Sequence, residues 1–163
     1  MRIYSLVVPL LLALGASHAD AGIIWSETGA SCIPDSATVS GGIYDTIAGY
    51  VRIKSSSAGT LNLYCPVFVT TSPTSLGLDY YSAGSTSSNQ VSAAYYKMSK
   101  STGSLTLIAA QNSTNCGTGY HASCSTTFTD TVDNTNYVYF VAVTLVNSSS
   151  AFAESFYAAQ LSN

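Results

Sequence analysis

The chain has 163 residues, of which only 8% carry charged side chains, and its formal net charge is −3. Soluble proteins typically have about 25% charged residues, and the five basic residues here form no basic patch, so no nucleic-acid partner is expected. The surface must instead consist mainly of serine, threonine, asparagine, glycine and tyrosine. Such surfaces associate readily, because few like charges oppose contact.

The N-terminal segment, residues 1–21, has the pattern of a secretory signal peptide. Arg2 supplies a positive charge, residues 6–14 are an almost unbroken apolar run, and small residues surround Ala19 and Ala21. We expect cleavage after Ala21, or alternatively after Ala19, which leaves residues 22–163 as one secreted domain. A short membrane anchor is the alternative, but the apolar run is about nine residues long and a membrane span needs about 20. No integral membrane span is expected in the rest of the chain.

Four cysteines follow the signal peptide: Cys32, Cys65, Cys116 and Cys124. An even number in an exported chain predicts two disulfide bonds, and three pairings are possible. We favour Cys32–Cys65, which ties an N-terminal segment to a strand, and Cys116–Cys124, which closes a short loop whose glycines allow the chain to turn back. A zinc site made of four thiolates is the alternative, but the cysteine spacing and the export signal oppose it.

Alternating apolar and polar residues begin in the first third of the mature chain. In residues 49–54, Val51 and Ile53 share one face, and residues 61–69 alternate in the same way. A short glycine-containing loop joins the two segments, so we predict a β-hairpin. Pro66 lacks an N–H and is expected at a sheet edge or a bulge.

The rest of the chain contains further strand patterns and turns. Residues 72–89 form a polar stretch, and strands are predicted at 91–98 and 104–110. Residues 137–146 are apolar or aromatic on both faces, which predicts a central strand. Residues 151–161 fit a strand or a helix, and the strand is preferred because no helix cap is present. About eight short strands predict an all-β, single-domain antiparallel β-sandwich of the jelly-roll or Ig-like kind.

Short motifs around the first two cysteines carry a resemblance to a known group. Cys32-Ile33-Pro34 comes near the expected mature N-terminus, the strand Gly-Tyr-Val-Arg-Ile-Lys follows, and Leu63-Tyr64-Cys65-Pro66-Val67 comes next. With the aromatic strand near the C-terminus, these motifs resemble small secreted bacterial β-sandwich proteins of unknown function, which carry a Cys-x-Pro and a later Cys-Pro-Val strand. The resemblance supports the Cys32–Cys65 pairing and implies no activity.

A second resemblance, to the pilins of the chaperone–usher pathway, rests on a disulfide of similar spacing between the first strands. Those pilins have an alternating, glycine-interrupted donor strand before the first cysteine, whereas only Ile23, Ile24 and Trp25 are available here. Self-assembly by strand exchange is therefore not expected.

Few side chains suited to catalysis remain after the signal peptide is removed. His18 leaves with it, so His121 is the single histidine, and no G-x-S-x-G motif surrounds a serine. His121 falls in the predicted disulfide loop and is interpreted as an ordinary loop residue. A glycoside or ester hydrolase would have to combine His121 or Glu154 with a second polar group. We therefore expect a protein that is not an enzyme and needs no cofactor.

Asp130 and Asp133 lie in a segment rich in aspartate and asparagine and are weak candidates for calcium ligands. Calcium takes six to eight oxygen ligands, and the spacing does not match an EF-hand. Aspartate and asparagine are also the common turn formers. We therefore expect no metal site.

Tyrosine is the most suggestive residue type, with 12 in the chain. Exposed tyrosine and tryptophan rings stack on sugars and suit protein interfaces, because they combine an apolar body with a polar tip. The alternative is that these side chains pack in the core or across strands. The candidate binding residues are Trp25, Tyr64, Tyr80, Tyr81 and Tyr96.

The first functional hypothesis is a non-enzymatic structural or interaction protein, secreted to the extracellular space, the cell surface or the periplasm. Its partners would be other proteins, further copies of itself or extracellular glycans. The second hypothesis is a carbohydrate-binding module, which predicts a flat or grooved sheet face with about three aligned aromatic rings.

Overall fold

The computed structural model describes residues 22–84, 86–149 and 153–163, which form two β-sheets packed face to face. The predicted signal peptide lies outside the described residues. Within them, no helix is long and apolar enough to cross a membrane. The helical elements are α1 (Ser36–Gly41) and two 3-10 turns, Gly29–Ser31 and Ser113–Asn115. The strands are β1 (Ile23–Thr28), β2 (Ile33–Pro34), β3 (Tyr44–Ile47), β4 (Tyr50–Ile53), β5 (Gly59–Val67), β6 (Ser75–Ser82), β7 (Asn89–Ser99), β8 (Leu105–Asn112), β9 (Gly119–Thr127), β10 (Tyr137–Asn147) and β11 (Glu154–Ser162).

Both sheets are antiparallel, and the chain crosses between them repeatedly. The six-stranded sheet has the order β3-β4-β11-β6-β9, with β1 also paired to β11. The five-stranded sheet has the order β2-β5-β10-β7-β8. The predicted all-β antiparallel sandwich is confirmed. The described residues form eleven strands rather than about eight, mainly because the segment before β4 contributes three short strands.

Alternation along each strand places the core between the two sheets. In β5, Leu61, Leu63, Cys65 and Val67 are buried, while the residues between them are partly or fully exposed. Inward residues of β6, β7, β10 and β11 complete the same hydrophobic cluster. Burying one such leucine or valine side chain stabilises the fold by roughly 1.5–3 kcal/mol, so this shared core holds the sheets together.

The predicted hairpin between residues 49–54 and 61–69 is wrong. β4 pairs with β3 and β11 in the six-stranded sheet, whereas β5 pairs with β2 and β10 in the five-stranded sheet. An alternating pattern identifies the side of a strand that meets the core, and both sheets of a sandwich need such a side. The pattern therefore cannot decide whether two consecutive strands pair or lie in opposite sheets.

The polar stretch at residues 72–89 contains a strand that the sequence analysis missed. β6 buries Leu76, Leu78 and Tyr80 in the core and lies between β11 and β9. Gly77 and Asp79 alternate with these residues on the outward face, and both residue types are uncommon in strands. These two residues make the segment resemble a loop, although its buried residues alternate as in a strand.

Other strand predictions are confirmed. β10 contains the predicted central strand and lies between β5 and β7, and the last segment forms the strand β11 rather than a helix. Pro66 belongs to β5, but β2 pairs only with Leu63 and Tyr64. Pro66 therefore lies where this edge of β5 is no longer paired with β2, and its missing N–H costs no bond to that strand.

Both predicted disulfide bonds are present. Cys32–Cys65 joins the segment before β2 to β5, and Cys116–Cys124 joins the turn after β8 to β9. No cysteine among the described residues is free, so the described part of the chain offers no thiolate to a metal.

Candidate functional site

Two of the five predicted aromatic candidates lie in the core. Tyr80 is fully buried, and its hydroxyl donates a hydrogen bond to the carbonyl oxygen of Gly117, 2.7 Å away. Trp25 is 9% exposed and belongs to the core cluster. A ring enclosed by protein offers no face to a ligand. The assignment of Trp25 and Tyr80 as binding residues is therefore corrected, and both are packing residues.

The other three candidates lie on opposite outer faces of the sandwich. Tyr81 points outward from β6 in the six-stranded sheet. Tyr64 of β5 and Tyr96 of β7 point outward from the five-stranded sheet. The molecule therefore presents two separate aromatic surfaces.

Five aromatic rings meet on the outer face of the six-stranded sheet. The ring centroids of Tyr50 and Tyr157 are 5.2 Å apart, and those of His121 and Tyr157 are 4.6 Å apart. Tyr81 stacks on Tyr120 with a centroid distance of 4.4 Å. These separations are typical of favourable ring pairs, which lie roughly 4.5–7 Å apart. We call these five residues the tyrosine–histidine cluster.

Sheet order and two register shifts bring these rings together. β11 lies between β4 and β6, and β9 pairs with β6, so four neighbouring strands supply the rings. The β11–β6 ladder shifts register at Tyr157, and the β6–β9 ladder shifts register at Tyr81. Such irregularities redirect side chains and increase the local twist, which accounts for the convergence of Tyr120 and His121 on their neighbours.

The backbone of His121 is strained. Its φ angle is 51°, a left-handed conformation that costs a residue other than glycine about 1–3 kcal/mol. The Cys116–Cys124 disulfide encloses this segment, and the imidazole stacks on Tyr157. His121 therefore lies in the strand β9, held by the disulfide and by ring stacking, rather than in an irregular loop.

All members of the cluster except Tyr81 line an open cleft of about 480 Å³. Tyr120 is 78% exposed at its edge, so its ring is accessible to a ligand. An aromatic cleft with a few polar groups is typical of a small-molecule site. The lining residues are Thr28, Ala48, Gly49, Tyr50, Tyr120, His121 and Tyr157.

One carboxylate stands beside the cluster. Asp79 Oδ2 lies 3.8 Å from His121 Nδ1, and Asp79 Oδ1 is buried without a hydrogen-bond partner among the described residues. Burial raises the pKa of Tyr157 above its ordinary value of 10.0, and the nearby tyrosines and Asp79 add to the shift. The Tyr157 hydroxyl is therefore neutral at physiological pH and can both donate and accept a hydrogen bond.

The cleft brings His121 beside the Asp79 carboxylate, which is one of the pairings that the hydrolase hypothesis requires, but it does not bring two carboxylates together. Hydrolysis by paired carboxylates needs two acidic side chains, and none of the described residues that line the cleft is acidic. Glu154 is fully buried, and burial raises its pKa to about 7. Glu154 therefore belongs to the interior rather than to either aromatic surface.

The second aromatic surface covers part of the outer face of the five-stranded sheet. The ring of Phe140 on β10 lies 6.0 Å from that of Tyr64 on β5 and 5.4 Å from that of Tyr96 on β7. A cleft of about 610 Å³ opens at one end, where Phe68 is 85% exposed. We call this surface the apolar face, and it comprises Ile33, Tyr64, Phe68, Tyr96, Leu105, Leu107, Val138 and Phe140.

The two candidate calcium ligands are occupied by protein contacts. Asp130 Oδ1 accepts a hydrogen bond from Lys97 Nζ at 2.5 Å. The Asp133 carboxylate accepts hydrogen bonds from the backbone N–H groups of Thr135 and Asn136, an ordinary role for aspartate in a turn. The described residues contain no group of three or more His, Cys, Asp or Glu side chains that could hold a metal ion.

No protein-family model and no curated protein matches this chain. One similar solved structure is a carbohydrate-binding module, CBM36, in complex with calcium and xylotriose, with 10% identity, 85% of this chain and 99% of that chain covered, and a TM-score of 0.45. Another is the CBM36-1 domain of a multidomain xylanase from the hindgut metagenome of Trinervitermes trinervoides, with 8% identity, coverages of 85% and 96%, and a TM-score of 0.44. A third is TmCBM61 in complex with beta-1,4-galactotriose, with 9% identity, coverages of 84% and 86%, and a TM-score of 0.43.

Proposed function

We propose that the mature protein is a secreted, non-catalytic glycan-binding domain, and that the tyrosine–histidine cluster holds the sugar. The observation that carries this proposal is the meeting of five rings on one sheet face, where four of them line an open cleft.

The chemistry of the cleft suits a sugar. A sugar ring has an apolar C–H face that stacks on an aromatic ring and a polar edge of hydroxyl groups. Tyr120 and Tyr157 offer ring faces, and their hydroxyls donate and accept hydrogen bonds. Thr28 adds a hydroxyl to the lining of the cleft, and the partly exposed Asp79 carboxylate lies next to the cleft, beside His121.

Secretion is part of the proposal. The N-terminal residues 1–21 have the composition of a signal peptide, and the two disulfide bonds are consistent with an oxidising extracellular compartment. An extracellular location would expose the cleft to cell-wall or matrix glycans.

The substitution Tyr157→Ala should weaken glycan binding at least about tenfold, which is about 1.4 kcal/mol. Tyr157 contacts both Tyr50 and His121, so its loss removes a stacking ring and the support for two others. A glycan array with the mature protein would identify the ligand, and calorimetric titration would compare the variant with the wild type. Tyr64→Ala, which removes a ring from the opposite face, is the matched control and should bind normally.

If Tyr157→Ala left glycan binding unchanged and Tyr64→Ala abolished it, the glycan site would lie on the apolar face instead. Absence of binding to every glycan on the array would contradict the proposal altogether.

A second candidate function is association with another copy of the chain through the apolar face. Among the described residues, six of the nine exposed large hydrophobic side chains lie on this face. None of the residues that define the face is charged, and a second copy would cover it with an equally uncharged surface. Contiguous exposed apolar patches of this kind mark interaction surfaces.

Phe68→Asp should shift the purified mature protein from dimer to monomer, because it places a charge between two paired apolar faces. Since Phe68 is 85% exposed, the unfolding free energy should change by no more than about 0.5 kcal/mol. Analytical ultracentrifugation would measure the oligomeric state. Tyr120→Asp, on the opposite sheet, is the control and should remain dimeric, and a strictly monomeric wild type would contradict this candidate function.

A further inference from the structure

The outer face of the six-stranded sheet continues past the tyrosine–histidine cluster as a second depression of about 320 Å³. Asp79 lines this depression and also approaches His121 of the cluster, so the two sites are adjacent. Four serines supply hydroxyl groups to this depression, and Gln160 supplies an amide. We call this depression the polar groove, and its lining residues are Ser75, Gly77, Leu78, Asp79, Ser123, Cys124, Ser125, Gln160 and Ser162.

The polar groove runs along β6 with partners on both sides. Gly77 lies between Gln160 of β11 and Ser125 of β9. Ser75, two residues further from the cluster, lies beside Ser162 of β11. At Gly77 and Ser75, both neighbouring strands therefore supply hydrogen-bonding side chains, whereas at Asp79 only Ser123 of β9 does, because the β11 partner is Ala158. Ser75 is six positions before Tyr81, so the cluster and the groove together extend about 20 Å along the strand.

The absence of a side chain at Gly77 keeps the groove open. A Cβ atom added at this position would lie 3.7 Å from the Cβ of Gln160 and 3.9 Å from the Gln160 carbonyl oxygen. These are ordinary contact distances, so a larger side chain fits without displacing the backbone and occupies the groove. Glycine weakens a strand interior and often marks a place where another molecule approaches closely.

The charge of the groove restricts the class of ligand. Asp79 is the one charged side chain among the described residues that line it, and no lysine or arginine lines either the groove or the cleft. An acidic sugar would meet the Asp79 carboxylate without a compensating cation. A sugar hydroxyl, in contrast, can donate a hydrogen bond to the Asp79 carboxylate, whose side chain is 32% exposed.

We infer that the polar groove is a second subsite, continuous with the tyrosine–histidine cluster, and that the ligand is an uncharged linear oligosaccharide. One part of the sugar chain stacks on the aromatic rings. The following units lie along β6 and hydrogen bond to Asp79, Gln160 and the serine hydroxyls. This inference rests on the proposed glycan-binding function and adds the length and charge of the ligand to it.

The test measures how affinity depends on ligand length in the wild type and in a variant whose groove is filled. Calorimetric titrations would use neutral cello-, chito- and malto-oligosaccharides of increasing length, from the disaccharide to the hexasaccharide, with an oligogalacturonide as the acidic counterpart. The wild type should bind the hexasaccharide of the preferred series about tenfold more tightly than the disaccharide, because the additional units gain hydrogen bonds. Gly77→Thr should remove this difference and leave disaccharide affinity unchanged.

Ala110→Val is the matched control, because it adds similar bulk to the outer face of the five-stranded sheet, and it should retain the preference for long chains. Circular dichroism would confirm that Gly77→Thr is folded. Equal affinity for short and long ligands, tighter binding of the acidic ligand, or an unchanged length preference in Gly77→Thr would each overturn the groove subsite while leaving the glycan-binding function intact. Loss of binding to every oligosaccharide in the wild type would overturn both.

Discussion

Replacing both Cys32 and Cys65 with alanine is expected to lower the free energy of unfolding by about 3–4 kcal/mol. The two cysteines are 33 positions apart in the sequence, so the bond removes much of the conformational freedom of the unfolded chain. Cys65 is fully buried in the core, and Cys32 is 6% exposed. Urea denaturation of the oxidised wild type and the double variant would measure the difference.

The second disulfide supplies an internal comparison. Cys116 and Cys124 are only eight positions apart, and the same chain-entropy relation gives about 2–3 kcal/mol for their removal. The Cys32–Cys65 variant should therefore be the less stable of the two. The opposite order would show that the Cys116–Cys124 bond also stabilises the folded state directly, for example by holding the strained His121 backbone.

Glu154→Gln is expected to raise the free energy of unfolding by about 3 kcal/mol above pH 7. The Glu154 side chain is fully buried, and neither carboxylate oxygen has a hydrogen-bond partner among the described residues. Burial raises its pKa from 4.5 to about 7, although the nearby Ser82 hydroxyl and Ala83 N–H partly oppose the shift. The Ser82 hydroxyl donates its hydrogen to the carbonyl oxygen of Gly84, so this hydrogen is not available to the Glu154 carboxylate.

The pH dependence follows from the direction of this shift. Because the folded state binds the proton of Glu154 more tightly than the unfolded chain does, the folded state is favoured at low pH. The contribution of Glu154 to stability is therefore constant below about pH 4.5, falls as the pH rises from 4.5 to 7, and is constant again above about 7. Glutamine is neutral at every pH, so the free energy of unfolding of Glu154→Gln should not show this decrease.

Urea denaturation between pH 4 and pH 9 would measure both curves. Glu27→Gln removes the only other glutamate of the chain and serves as the control, since it keeps Glu154 and should keep the fall in stability. Parallel curves for the wild type and Glu154→Gln would mean that the folded protein accommodates the Glu154 carboxylate without cost.

The fold class could be predicted from local patterns, whereas strand pairing could not. The apolar and aromatic residues on both faces of β10 correctly placed it at a sheet centre, and alternation showed which residues of β5 face the core. Alternation did not distinguish a hairpin from a connection between sheets, so β4 and β5 were wrongly paired. β6 was missed because its outward positions hold Gly77 and Asp79, two residue types that are uncommon in strands.

The candidate site was harder to predict, because its residues come from strands that are distant in sequence. The sequence analysis selected Tyr81 but not Tyr50, Tyr120, His121 or Tyr157. Tyr50 alternates with the buried Val51, and this pattern could have identified it as outward-facing. The register shifts of the β11–β6 and β6–β9 ladders break the alternation near the other members, so no local signal places them on the same surface.

Nuclear magnetic resonance mapping of a bound neutral oligosaccharide tests the central claim most directly. Titration of the mature protein with the tightest-binding glycan should produce the largest chemical-shift changes in the rings of Tyr50, Tyr120 and Tyr157. The signals of Tyr64 and Phe140 on the opposite sheet should remain unchanged. Shifts confined to that opposite face, or no shifts in any aromatic ring, would contradict the assignment of glycan binding to the tyrosine–histidine cluster.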